Sequence, residues 1–121
     1  MAVKREFQPK FKRGEHDVRE LLRVYLVTDE ALCVHHDLLD IVQVAARAGV
    51  TFVQLREKQL ETRAFVERAR ALKAWLAPRG VPLIINDDLA LALAVGADGV
   101  HLGRDDGDPA EARRALGPGP I

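Results

Sequence analysis

The sequence is poor in the features that most quickly betray a function. Of its 121 residues one is a cysteine, Cys33, so no internal disulfide can form and no cysteine-based metal pattern exists. Aromatic residues make up 5% of the chain, too few for a surface that stacks nucleic-acid bases. The 18 Lys and Arg are matched by 18 Asp and Glu. A net charge of zero offers no basic face to the phosphates of a nucleic acid or to an anionic membrane. The longest apolar run, Leu89 to Val95, is too short to cross a bilayer. Met1 to Glu20 is charged and lacks the apolar stretch of a secretory signal. A cytoplasmic protein is expected, with no nucleic-acid and no membrane partner.

What is present is a core and a rhythm. With 48% apolar and 30% charged residues the chain can bury an interior, and its length fits one domain. Residues 1–20 stand apart. Lys4, Arg5, Lys10, Lys12, Arg13 and Arg19 are interspersed with Glu6, Glu15, Asp17 and Glu20 around few apolar positions. A charged N-terminal extension is expected there, with at most a short helix at its end. Residues 21–121 are regular. Arg23 to Val27, Val50 to Leu55, Val81 to Ile85 and Asp98 to Leu102 are short runs rich in strand formers.

Helical stripes lie between them. Leu38, Ile41, Val42, Ala45 and Ala48 follow a capping Asp37 and stop at Gly49. Phe65, Ala69, Leu72 and Leu76 share one face of Thr62 to Leu76, and Asp88 to Val95 is closed by Gly96. Asp108, Pro109 and Glu111 give a last helix its cap, a proline at its first position and a reciprocal acid. Four strand–helix units with no hairpin turn between strands imply a parallel sheet covered by helices. The even spacing suits a (β/α)8 barrel, which takes about 250 residues when closed. This α/β chain therefore holds the first four units of a TIM barrel, with a fifth strand beginning at Ile121, or forms a small open sheet.

Polar residues gather where the strands end. In Val53-Gln-Leu-Arg-Glu-Lys58, the period of two puts Gln54 and Arg56 on one face, with Lys58 close by. An amide, a guanidinium and an ammonium together make an anion pocket. A strand leaving the core through a charged turn explains Arg56 to Lys58 but not Gln54, which sits among apolar residues where an unpaired amide is costly. The third strand ends in Asn86-Asp87-Asp88. One helix cap needs one such residue, so at least one is spare for a ligand or a hard cation. Asp106 follows the fourth strand, and carboxylates at adjacent strand ends beside an Arg/Lys pocket suit magnesium bridging protein and diphosphate.

In these segments the sequence resembles a family. Tyr25-Leu-Val-Thr-Asp29, Gln54-Leu-Arg-Glu-Lys58, Asn86-Asp-Asp-Leu-Ala-Leu-Ala-Leu-Ala94 and Gly96-Ala-Asp-Gly-Val-His-Leu-Gly103, followed by Asp105-Asp106, look like thiamine-phosphate synthase over residues 21–121. The resemblance implies a TIM barrel that joins hydroxymethylpyrimidine diphosphate to thiazole phosphate and releases pyrophosphate. Carried over residue by residue, it implies that Gln54, Arg56, Lys58 and Asn86 contact the pyrimidine diphosphate. Asp87 and Asp106 are implied to hold Mg2+. In that chemistry the diphosphate departs first and the thiazole nitrogen captures the remaining cation, so no residue serves as general acid or base. Arg104 stands where the family usually has Gln.

The family's strands five to eight, with its thiazole-phosphate loops, have no counterpart here. The chain alone is therefore expected to carry the metal and leaving-group half-site and to turn nothing over. Its open sheet edges are expected to pair with a second copy or with a complementing C-terminal half. Two other readings stand beside this one: a thiazole tautomerase-like paralogue without the diphosphate and metal constellation, and a non-catalytic half-barrel acting through a partner chain. His35 and His36 lack ligand spacing and read as loop. His101 packs in the core or lines the site, and Trp75 belongs to the core or to a helix-packing surface.

Overall fold

The apolar period switches between strand and helix spacing along the chain, and the backbone follows it in the computed structural model, which describes residues 17–29, 36–57, 60–118 and 120–121. The one-turn helix α1 (Val18–Leu21) precedes β1 (Tyr25–Val27), α2 (Leu38–Arg47), β2 (Phe52–Leu55) and α3 (Thr62–Leu76), which runs into a 3-10 turn at Ala77–Arg79. Then come β3 (Leu83–Asn86), α4 (Leu89–Val95), β4 (Gly99–His101) and α5 (Pro109–Leu116). The strands form one parallel sheet in the order β1-β2-β3-β4.

A strand order that never reverses keeps right-handed crossovers on one face of the sheet. The core follows that rule. Val53 and Leu55 of β2 and Leu83 and Ile85 of β3 share one buried cluster with Leu38 and Val42 of α2, the stripe of α3, and Ala92 and Val95 of α4. Alternate strand residues, including Phe52, Gln54, Ile84 and Asn86, therefore lie on the other face. The stripe of α3, Phe65, Ala69, Leu72 and Leu76, is buried along its whole length. α4 starts at the Asp88 cap and stops at Gly96, whose φ of 66° is a left-handed geometry that a Cβ would strain.

Several expectations shift: β1, β2 and β3 each begin two residues late, at Tyr25, Phe52 and Leu83, and β4 is one residue shorter at each end than Asp98 to Leu102. Asp37 precedes α2 but makes no capping hydrogen bond with its side chain. Just before β1 the Val24 N–H goes to the Thr51 hydroxyl at 3.0 Å. That hydroxyl also donates to the Leu21 carbonyl at 2.7 Å, which docks α1 on the amino end of the sheet. The face away from the helices is not open throughout. Phe52, Gln54 and Ile84 are buried, while Leu22, Val24, Tyr25 and Val27, at and before β1, are exposed.

At the far edge the sheet goes on. The Ile121 N–H donates to the Asp98 carbonyl at 2.9 Å, and the Ile121 carbonyl accepts from Val100 at 3.2 Å. This is the parallel ladder pattern, and it sets Ile121 beside Gly99. A Cβ at Gly99 would strike the Ile121 carbonyl and come within 2.9 Å of Ile84 Cδ1. Arg113 holds the turn that leads there, donating to the carbonyls of Gly117 (3.1 Å) and Pro120 (2.5 Å). Among the described residues no helix is long and apolar enough to cross a membrane.

A buried carboxylate locks β3 to β4. Asp98 is 2% exposed. Its Oδ2 accepts the Leu83 N–H at 2.8 Å, while its own N–H donates to the Leu83 carbonyl at 2.8 Å. Lys73 of α3 lies 3.8 Å from Oδ1 and also donates to the Gly96 carbonyl. Asp98→Ala strands a half-buried ammonium and a buried N–H, so it should cost about 3–5 kcal/mol in urea denaturation. The double variant Asp98→Leu/Lys73→Met should lose less than the single one. Equal losses would show that the Leu83 bond alone matters.

Candidate functional site

The exit of β2 is held from β1. Thr28 is buried just past β1; its N–H donates to the Gln54 carbonyl at 3.0 Å, and its hydroxyl accepts the Arg56 N–H at 3.0 Å. The two bonds carry the ladder one residue beyond each strand and fix where the Arg56 side chain starts. That guanidinium is half-buried and has no partner among the described residues. Gln54, on the face away from the helices, donates from Nε2 to Tyr25 Oη at 2.5 Å. Burial pushes the Tyr25 phenol above its usual value of 10, and the Gln54 hydrogen bond pulls part of the way back.

The exit of β3 divides its three polar residues. Asp88 alone caps α4, its carboxylate accepting the Leu91 N–H at 2.9 Å. Asp87 adopts a φ of 57°, a left-handed backbone that costs most residues free energy and that Asp tolerates better than most. Its N–H donates to the His101 carbonyl at 2.8 Å, continuing the β3–β4 ladder. Its carboxylate is exposed and has no partner among the described residues. Asn86 lies level with His101 across the ladder, and both side chains are without partners there. His101 is exposed, which excludes the packed core position.

Glu57, Asn86, Asp87 and Asp88 line a cleft of about 310 Å³ at these strand ends, together with Leu60, Thr62, Phe65 and Leu91. The structure thus brings Asn86 and Asp87 into one cleft and places Arg56 at the neighbouring strand exit. Gln54 lies one turn of the pleat deeper. Asp106, in the exposed loop after β4, turns one oxygen back on its own loop, where Oδ2 accepts the Gly103 N–H at 2.7 Å. Lys58, His35 and Cys33 lie outside the described residues, and His36 is exposed. No group of three or more His, Cys, Asp or Glu that could hold a metal occurs among the described residues.

A larger cleft of about 490 Å³ opens at the opposite end of the sheet, beside Thr51, Val81, Arg47 and Arg79. Parallel α/β sheets place chemistry at the carboxyl ends of their strands, so the smaller cleft is the candidate site. The arginines near the other cleft meet Trp75, the Arg79 guanidinium lying 3.5 Å and that of Arg47 5.6 Å from its ring centroid. Thr28, Tyr25 and Glu57 carry no site role in the sequence reading. The spacing of polar residues marks Gln54 and Arg56, but what holds them comes from the adjacent strand.

A family profile described as thiamine monophosphate synthase matches residues 24–121. The chain belongs to that family. Among curated members it is 56% identical to the thiamine-phosphate synthase of Albidiferax ferrireducens over 104 residues, 85% of this chain and 48% of that one. It is 57% identical to that of Xanthobacter autotrophicus over 97 residues, 80% of this chain and 46% of the relative. The thiamine phosphate pyrophosphorylase structure from Pyrococcus furiosus superposes with a TM-score of 0.75 at 30% identity, covering 82% of this chain and 48% of that one. The chain spans about half the length of these members of the thiamine monophosphate synthase family.

The backbone of Asp87 gives this site a measurable signature. Asp87→Gly relieves the left-handed geometry and removes a carboxylate that has no hydrogen-bond or ionic partner among the described residues, so it should raise stability by about 1 kcal/mol in urea denaturation. A loss of stability would mean that the carboxylate is part of the fold.

Proposed function

We propose that this chain supplies the diphosphate half-site of a thiamine-phosphate synthase, built on the first four units of a TIM barrel. The whole enzyme joins hydroxymethylpyrimidine diphosphate to thiazole phosphate and releases pyrophosphate. One observation carries the reading: Asp88 caps α4 by itself, which leaves the Asp87 carboxylate without a partner among the described residues, on a left-handed backbone at a strand exit. A side chain with no structural task on a costly backbone is what a ligand-binding carboxylate looks like. The non-reversing strand order, which a barrel repeats, supports the architecture.

The donor set suits Mg2+. That ion takes oxygen ligands and is commonly held by one or two carboxylates, with water and substrate phosphates completing its shell. Asp87 has both oxygens available, and Asp106 has the one that does not hold Gly103. When bound, Mg2+ supplies neutralisation of charge on the diphosphate. Arg56 presents a planar fork of donors that grips phosphate oxygens two at a time, and Lys58 adds a point charge. Gln54 and Asn86, on neighbouring strands and one face, hold the pyrimidine diphosphate. As it reacts, the bond from carbon to the bridging oxygen breaks with its electron pair on oxygen, and Arg56 stabilises the charge that grows there. No residue is required to move a proton.

A thiazole tautomerase-like paralogue has no use for Arg56, Asn86 and Asp87 as a set. The thiazole-phosphate site belongs to the other half of the barrel, which a complementing C-terminal half would supply. In the complete enzyme, turnover should require Mg2+, and Asp87→Ala should lose most of it with folding intact. Full activity in excess chelator overturns the metal assignment. Arg56→Gln should weaken binding of the pyrimidine diphosphate about tenfold or more while sparing thiazole phosphate. Equal weakening of both would make Arg56 a structural residue.

A further inference from the structure

Gln54 is 3% exposed, and its partners across the ladder, Val27 and Ile84, offer its amide nothing. A carboxamide free to rotate is a poor recognition group, because its two flipped states show a ligand opposite patterns of donor and acceptor. The fold answers from a diagonal position, where Tyr25 Oη stands 2.5 Å from Nε2. Tyr25 is held in turn, its ring meeting Phe52 edge to face at 4.7 Å and 84°. A phenylalanine at residue 25 would keep that ring contact. The hydroxyl adds only its reach to Gln54.

We propose that Tyr25 is a positioning residue, its hydroxyl fixing the Gln54 carboxamide so that Oε1 and the second N–H of Nε2 meet the ligand in one orientation. This rests on the reading that Gln54 contacts the pyrimidine diphosphate. With one N–H committed to Tyr25, the amide keeps one donor beside one acceptor. That pair complements the edge of a nitrogen heterocycle that sets an acceptor beside a donor.

Tyr25 is the only tyrosine of the chain, so near-ultraviolet absorbance reports its ionisation directly. In a spectrophotometric titration, Gln54→Leu removes the contribution that lowers the phenol and should move its midpoint further above 10. An unchanged midpoint means that the two groups do not meet, and overturns the proposal. Hydroxymethylpyrimidine diphosphate with Mg2+ is then titrated calorimetrically into the wild-type chain, Tyr25→Phe, Gln54→Leu and the double variant, each checked for folding by thermal unfolding. Tyr25→Phe should weaken binding about three- to tenfold, the effect of one neutral hydrogen bond. It should weaken it no further once Gln54→Leu is present, because the tyrosine acts through the amide. Losses that add, or wild-type affinity in Tyr25→Phe, overturn the positioning role and leave the reading of Gln54 standing. Binding unaffected by Gln54→Leu, or absent from every form, overturns that reading and the positioning role with it.

Discussion

Asp98 and Leu83 bind each other twice, once through a backbone N–H and carbonyl and once through a carboxylate and a backbone N–H. Both bonds sit at the amino end of the β3–β4 pair, and the register they impose runs on to the carboxyl end. Ile84 falls level with Gly99, Asn86 with His101, and the Asp87 N–H reaches the His101 carbonyl. Strand side chains alternate faces, so a slip of one residue would turn Asn86 to the helix side. A carboxylate this deeply buried is costly unless paired, and Lys73 of α3 pairs it. One interaction therefore ties the helix layer, the sheet register and the strand exits together.

At those exits the polar residues divide between those that hold the fold and those whose side chains are left unengaged among the described residues. Asp88 and Asp108 cap helices, accepting the N–H groups of Leu91 and Ala110. Thr28 holds the backbone of Arg56, and Asp106 closes its own loop. Arg56, Asn86, Asp87 and His101 remain, and their side chains have no partner among the described residues. Backbones fixed by hydrogen bonds with side chains left unengaged are the arrangement expected of a preorganised site, in which ordering the ligand contacts costs little when binding occurs.

Much of this was legible in the sequence because it is local. The limits of α3 follow from the stripe Phe65, Ala69, Leu72 and Leu76, and the stops at Gly96 and Gly117 need only neighbouring residues. The surplus in Asn86-Asp87-Asp88 is visible by counting caps. What the sequence hides depends on register. The reach from Tyr25 to Gln54 spans 29 positions and exists only because Tyr25 pairs with Phe52. Thr28 acts across a similar gap, and so does the Thr51 hydroxyl, which accepts the Val24 N–H. Asp37 has the composition of a cap without the bond, since a suitable residue type does not fix where its carboxylate points.

On the sheet face turned from the helices, burial and exposure separate by position. Phe52, Gln54 and Ile84 are covered, whereas Tyr25 and Val27 of β1 are exposed. Ile121 occupies the ladder beside β4, while the outer edge of β1 has no strand partner among the described residues. Parallel strands are rarely stable with a face in water, because their crossovers normally cover both sides. A strand added along β1 would flank Tyr25 and Val27 and give the backbone of that edge a partner. Tyr25, whose hydroxyl meets Gln54, thus sits on the strand whose outer edge has no strand partner among the described residues.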